Sequence, residues 1–221
     1  MARQKLQRFQ ENTLKENVLE PGKPLYETIK GRWHEDYFHN QYPITVEVGC
    51  GRGEYSTGLA PQFPYRNFVG VDTKGDRMWK GAVIAETQEL KNVAFLRAPV
   101  DFLEKFFVPG EIAEIWIPFP DPRPKDGQEK RRLTSPRYLE MYRRLLIPNG
   151  LVHLKTDNVP LFDYTLEVLR SEKIKDLQYT HDLYHSDLMR YHFGIRTRYE
   201  QKYASGGMPI HYLQFKYEED Q

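Results

Sequence analysis

From Ile44 onward, short apolar runs alternate with segments of helical periodicity. "ITVEV" (44–48) is a β-branched run that "GCGRG" interrupts, and a helix follows until Pro61 or Pro64 ends it. "NFVGVD" (67–72) reads as a second strand, after which a helix capped near Asp76 runs to about Leu90. "VAFL" is a third strand, "DFLEKFF" a short helix and "EIAEIWI" a fourth strand. Ser135-Pro136 starts a helix, with a capping hydroxyl followed by proline in the first turn, and Leu139, Tyr142, Leu145 and Leu146 recur at helical spacing until "PNG" stops it. "LVHLKT" is a fifth strand. Strands alternating with helices predict an α/β fold of the Rossmann-like kind, a mostly parallel sheet with helices on both faces, in which ligands bind beyond the carboxyl ends of the strands. Gly49 to Gly53, Asp72, Asp121 and Asp157 all follow strand ends, so they are expected to meet on one rim.

A chain of 221 residues is long enough for one sizeable core. We expect an N-terminal basic arm over 1–40 and a single domain over 41–221. One cysteine, Cys50, and a polar N-terminus without a signal or membrane-spanning run lead us to expect a cytoplasmic protein with no membrane association. Formal charge is only +1, so attraction to nucleic acid must come from clusters: the N-terminal arm, and Lys130, Arg131 and Arg132 with Arg137, Arg143 and Arg144 behind them, offset by the acidic tail "EED".

The stretch "IWIPFPDPRPK" (115–125) places four prolines around Asp121. Proline fixes φ, donates no hydrogen bond and pushes its predecessor toward extended geometry, so Phe119, Asp121 and Arg123 are expected to be open and non-helical in a stiff loop. In "EVGCGRG", glycines at 49, 51 and 53 follow a strand and allow a tight turn and close approach by a ligand. Asp72, at the tip of the next strand, can accept from both hydroxyls of a ribose. The spacing is not that of dinucleotide folds, and Glu47 would repel a pyrophosphate but suit a cation. S-adenosylmethionine, with an ammonium, a sulfonium and no phosphate, meets this description better than NAD.

"VEVGCGRG", "VGVD", "IPFPDPRPK" with "KRR" behind it, "KTDN" and "TRYE" resemble, in order, the motifs of the bacterial tRNA (guanine-N7)-methyltransferases. The resemblance covers the chain from about Ile44, and its specific part is the Pro-Asp-Pro loop with the basic triplet. It implies a class I S-adenosylmethionine-dependent methyltransferase fold, a seven-stranded sheet whose last strand, "HYLQFKY", is antiparallel, and methylation of guanine N7 in the variable loop of tRNA. It further implies cofactor contacts at Glu47, Gly49, Asp72 and Asp121, substrate contacts at Lys125, Asp157, Thr197, Arg198, Tyr199 and Glu200, and RNA contacts at Lys130, Arg131 and Arg132. Asp121 takes a positioning and electrostatic role in catalysis, since N7 already carries a free lone pair. Ala98 stands where many members have an acid, and Arg123 where they have tryptophan.

The competing readings are a methyltransferase of a small molecule or protein, and a non-catalytic RNA-binding module on the same fold. Without the resemblance, "TRYE" is a solvated turn and Asp157 a cap for a helix starting near Val159. His181 and His185 have zinc-compatible spacing, but no further ligands are spaced to complete a site, so no metal is expected. Oligomeric state, monomer or homodimer, stays open.

Overall fold

The computed structural model describes residues 2–203 and 207–218. Glu219 and Asp220 of the acidic tail lie outside them. In chain order the elements are α1 (Ala2–Leu14), β1 (Val18–Leu19), α2 (Pro24–Thr28), β2 (Ile44–Val48), α3 (Glu54–Leu59), β3 (Asn67–Asp72), α4 (Gly75–Thr87) and β4 (Val93–Arg97), followed by β5 (Ile112–Pro118), α5 (Pro136–Leu145), β6 (Leu146–Thr156), α6 (Val159–Leu169), β7 (Ile174–Thr180), α7 (Arg198–Tyr203) and β8 (His211–Tyr217). Short 3₁₀ turns cover Val100–Lys105 and Asp126–Arg131.

These strands form one sheet in the order β1-β4-β3-β2-β5-β6-β8-β7. Every pairing up to β5–β6 is parallel, and β8 runs antiparallel to both β6 and β7. The central strands are buried on both faces, which is why they read as mostly apolar runs rather than strictly alternating ones. One core packs Val46, Ile115 and Leu154 against Leu139 and Tyr142 of α5 and Phe162 of α6. The other packs Phe95 and Trp116 against Tyr55 of α3 and Met78 and Ala82 of α4.

Two expectations change. The sheet has eight strands rather than seven, because Val18–Leu19 pairs in parallel with β4 through Phe95 and Leu96 and covers what would be an open edge. The first forty residues are therefore no separate arm: Leu19, Ile29, Trp33 and Phe38 are buried in the main core, and Trp33 donates its indole N–H to the Phe106 carbonyl at 2.8 Å.

Candidate active site

Beyond the tip of β2, Gly49, Gly51 and Gly53 all adopt left-handed φ, +67°, +54° and +68°. At Gly53 a side chain is also excluded by space, since a Cβ would sit 2.3 Å from the Phe95 ring. Asp72, at the tip of β3, ties this turn down: its carboxylate accepts the Gly51 N–H at 2.9 Å and the Lys74 N–H at 2.8 Å. Asp72 is thus a structural brace of the glycine turn, with lone pairs to spare for a ligand.

Glu47 points under the same turn and is 3 % exposed. It accepts the Ser56 N–H at 2.8 Å and the Ser56 hydroxyl at 2.6 Å, at the start of α3. Burial nevertheless pushes its carboxyl up to about 8.

Phe119 extends the β5–β6 ladder by one step, donating its N–H to the Lys155 carbonyl at 2.7 Å, and there the chain turns. The loop is non-helical, but two of its three pre-proline residues are not extended: φ is +49° at Phe119 and +47° at Arg123. Tertiary contacts override the local preference. The Phe119 ring packs against Tyr199 at 5.4 Å, and Arg123 folds back onto Asp121, whose carboxylate accepts its N–H and pairs with its Nε, each at 3.2 Å. Asp121 is exposed and does not line the cleft described below.

"TRYE" is not a solvated turn. Thr197 Oγ1 accepts the Glu200 N–H at 3.1 Å while Glu200 Oε2 accepts the Thr197 N–H at 3.3 Å, a reciprocal capping box that starts α7. Glu200 is itself buried beneath α7, accepting from Lys155 Nζ at 2.8 Å and from the Tyr184 hydroxyl at 2.5 Å. Burial alone would raise its carboxyl, but bonding from His192, Lys155 and Tyr184 outweighs that and holds it down at about 2. Its oxygens are committed to protein partners, so the expected direct contact of Glu200 with substrate is not what this geometry presents. Asp157, in turn, is not a helix cap. Asn158 caps α6, accepting from the Leu161 N–H at 2.9 Å, and Asp157 instead receives the Tyr199 hydroxyl at 2.9 Å.

The strand tips enclose a cleft of about 420 Å³ lined by Glu47, the glycine turn, Pro118–Phe119 and Thr197–Tyr199, together with Arg52, Glu54, Arg77 and Lys202. Three separated motifs therefore share one cavity at the carboxyl edge of the sheet, where the fold class predicts a ligand. A similar-sized hollow at Arg143–Gly150 lies at the opposite end of β6. Lys125, Lys130 and Arg131 are exposed on the segment after the proline loop, and the Arg132 guanidinium stacks on Tyr164 at 4.2 Å. Sequence reading missed Lys155, Tyr184, Arg52 and Arg77. The one local signal overlooked was the T-x-x-E capping pattern at 197–200. Among the described residues no three His, Cys, Asp or Glu side chains converge as metal ligands, and no helix is long and apolar enough to cross a membrane.

Residues 41–213 match the model of a family described as "Putative methyltransferase". The chain is 50 % identical to the tRNA (guanine-N(7)-)-methyltransferase of Cytophaga hutchinsonii, over 98 % of this chain and 99 % of the relative. It is 41 % identical to the protein of the same name from Bacteroides thetaiotaomicron, over 98 % of this chain and 86 % of the other. Among solved structures it resembles the 16S rRNA methyltransferase KamB, with a TM-score of 0.60 at 20 % identity over 81 % of this chain and 90 % of that one. It also resembles a 16S rRNA (adenine(1408)-N(1))-methyltransferase from Catenulisporales acidiphilia solved with its cosubstrate S-adenosylmethionine, with a TM-score of 0.56 at 14 % identity over 86 % and 92 % of the two chains. At these identities the structural likeness speaks for the fold alone.

Proposed function

The chain belongs to the tRNA (guanine-N7)-methyltransferase family, and we infer that it transfers a methyl group from S-adenosylmethionine to N7 of a guanine in tRNA. The resemblance of its motifs supports a guanine of the variable loop as the target. The observation that carries the reading is the shared cleft: the glycine turn, the proline loop and the "TRYE" segment, far apart in sequence, line one cavity.

The residues present fit the methyl donor. Glu47 offers a buried carboxyl to a cationic ligand. The turn beside it is open, since a Cβ on Gly51 would meet nothing closer than the Gly49 carbonyl at 4.0 Å. Glu47, Gly49 and Asp72 would hold the cofactor, and Asp121 would approach from the proline loop after exchanging its Arg123 partner. When bound, S-adenosylmethionine supplies an electrophilic methyl group on a sulfonium.

Guanine N7 carries a free lone pair, so the protein needs no general base, and its task is alignment. Phe119 and the Thr197–Tyr199 segment wall the space where a base can lie. With N7 turned toward the methyl group, the opposite edge presents the N1–H and the exocyclic amine, both donors. Asp157, held by Tyr199, is the acceptor suited to that edge, and Lys125, at the end of the proline loop, is the cation to meet a phosphate or O6. Adenine would leave such a carboxylate unpaired, at a cost of about 1–3 kcal/mol. Glu200 supports this arrangement from below by fixing the first turn of α7. Lys130, Arg131 and Arg132 have the charge to grip phosphates but no rigid fork aimed at a base, so they position the RNA rather than read it.

A small-molecule or protein acceptor would leave the exposed basic segment after the proline loop without a purpose. A non-catalytic RNA binder would have no use for an open glycine turn over a buried carboxyl. Incubation with methyl-labelled S-adenosylmethionine and an unmodified tRNA transcript, followed by nuclease mapping, should find the label on one variable-loop guanine. Label on another base, or none on RNA, would contradict the reading.

A further inference from the structure

Beside the cleft lies a second cavity, lined by Arg8 of α1, Arg52 of the glycine turn, Asp76, Arg77, Trp79 and Lys80 of α4, and Arg198 of α7. Arg52, Arg77 and Arg198 line both spaces, so the two are continuous. Its charge is one-sided: five cationic side chains face one carboxylate, Asp76. Several surface arginines elsewhere are paired, as Arg32 is with Asp36, Arg97 with Glu20, Arg137 with Asp101 and Arg144 with Glu104. Among the described residues, none of the Arg8, Arg52, Arg77 and Arg198 guanidiniums has a carboxylate within ion-pair distance. The cluster repels itself, and Arg52 shows it: burial lowers its proton affinity first, and Arg198, Arg8 and Arg77 lower it further against the opposing pull of Glu54.

This convergence is built by the N-terminal segment. α1 is pinned to α4 by the Asn12 side-chain amide, which donates to the Gly75 carbonyl at 2.8 Å, by the Trp79 indole donating to Glu11 at 2.5 Å, and by the pairing of Lys15 with Glu86. The Arg8 guanidinium then lies over the Trp79 ring, 4.9 Å from its centroid, which aims a flexible side chain at the cavity.

We infer that α1, the glycine turn and the first turns of α4 and α7 form a phosphate-binding surface that grips the tRNA backbone next to the target nucleotide. The inference rests on the tRNA reading above. A base held in the cleft brings its flanking phosphates to the rim, and the rim on this side is a set of guanidiniums lacking counter-ions, the donor suited to bidentate phosphate contact. The carboxylate of the cofactor is the other anion within reach of the cleft, but Arg8 and Lys80 do not line the cleft, and one carboxylate cannot answer five cations.

The test compares the wild type with Arg8→Ala, Arg77→Ala and the double variant in tRNA binding across a salt series, with calorimetry of S-adenosylmethionine alone and thermal melting as parallel measurements. Each substitution should weaken tRNA binding roughly three- to tenfold and flatten the slope of log K against log salt by about 0.7–0.9 for every phosphate no longer neutralised, with melting and cofactor affinity unchanged for Arg8→Ala. Wild-type tRNA affinity and slope in the double variant would overturn the inference while leaving the methyl-transfer reading intact. So would a loss of cofactor affinity in Arg8→Ala in place of a loss for tRNA. Failure of the wild type itself to bind tRNA would overturn both.

Discussion

Lys155 and Glu200, 45 residues apart, form an ion pair sealed inside the protein: Nζ lies 2.8 Å from Oε1, and neither side chain is more than 1 % exposed. The pair joins the tip of β6 to the first turn of α7. Lys155 also sits beneath the Phe119 ring at 5.6 Å and the Tyr55 ring at 5.7 Å. The floor of the cleft and its "TRYE" wall are therefore held by one buried contact. Lys155→Met leaves the Glu200 carboxylate buried without its cation, a change that typically costs about 3–5 kcal/mol. The midpoint of urea unfolding should fall accordingly, and replacing both partners by apolar residues should restore part of the loss. An unchanged midpoint in Lys155→Met would show that the pair does not hold the cleft together.

The same carboxylate sets an acid limit. Glu200 is held at about 2 in the folded protein against an ordinary 4.5, so its contribution is fully present above about 4.5 and is lost as pH falls toward 2. Stability measured from pH 6 to pH 2.5 should decline less steeply in Glu200→Gln than in the wild type, although the variant starts lower. Parallel curves would contradict this assignment.

Glu47 predicts a proton linked to cofactor binding. In the free protein its carboxyl is pushed up to about 8, so at neutral pH it is mostly protonated. A cationic ligand favours the ionised form and lowers that value, so binding releases a proton and affinity rises with pH until about 8. Calorimetry in two buffers of different ionisation enthalpy at about pH 7 should report the release, and Glu47→Gln should abolish it. Equal proton release in the variant would place the linked group elsewhere.

Asp72 is expected to matter more for the cofactor than Asp121 does. Asp72→Ala removes both the ribose acceptor and the brace on Gly51, and charge-assisted hydrogen bonds contribute about 1.5–3 kcal/mol each. Without RNA present, calorimetry should show S-adenosylmethionine binding weakened tenfold or more in Asp72→Ala, with a smaller change in Asp121→Ala. The reverse order would exchange the two roles.

The strands and the glycine turn were legible because doubly buried parallel strands leave mostly apolar runs and because three closely spaced glycines after a strand have few structural alternatives. Two residues of β1 leave no period to detect, so the eighth strand and the folding of the first forty residues into the core were not visible. Lys155 was passed over because lysine is rarely interior, and only tertiary contact with Glu200 makes it so. The left-handed turn at Phe119 likewise has Lys155 and Tyr199 as neighbours, which the proline pattern does not contain, and at Arg123 the pattern does not show that the side chain folds back onto Asp121. Arg8, Arg52, Arg77 and Arg198 come from four places in the chain, and only the folded protein gathers them.

Alignment of guanine N7 with a methyl donor in the cleft is tested most directly by a tRNA transcript in which 7-deazaguanine replaces guanine. This base keeps the N1–H and the exocyclic amine that Asp157 would read, but it has a C–H in place of the N7 lone pair. Competitive binding close to that of ordinary transcript, with no methyl incorporation, is the expected result. Methylation of the 7-deazaguanine transcript at a rate comparable to the guanine transcript would contradict it.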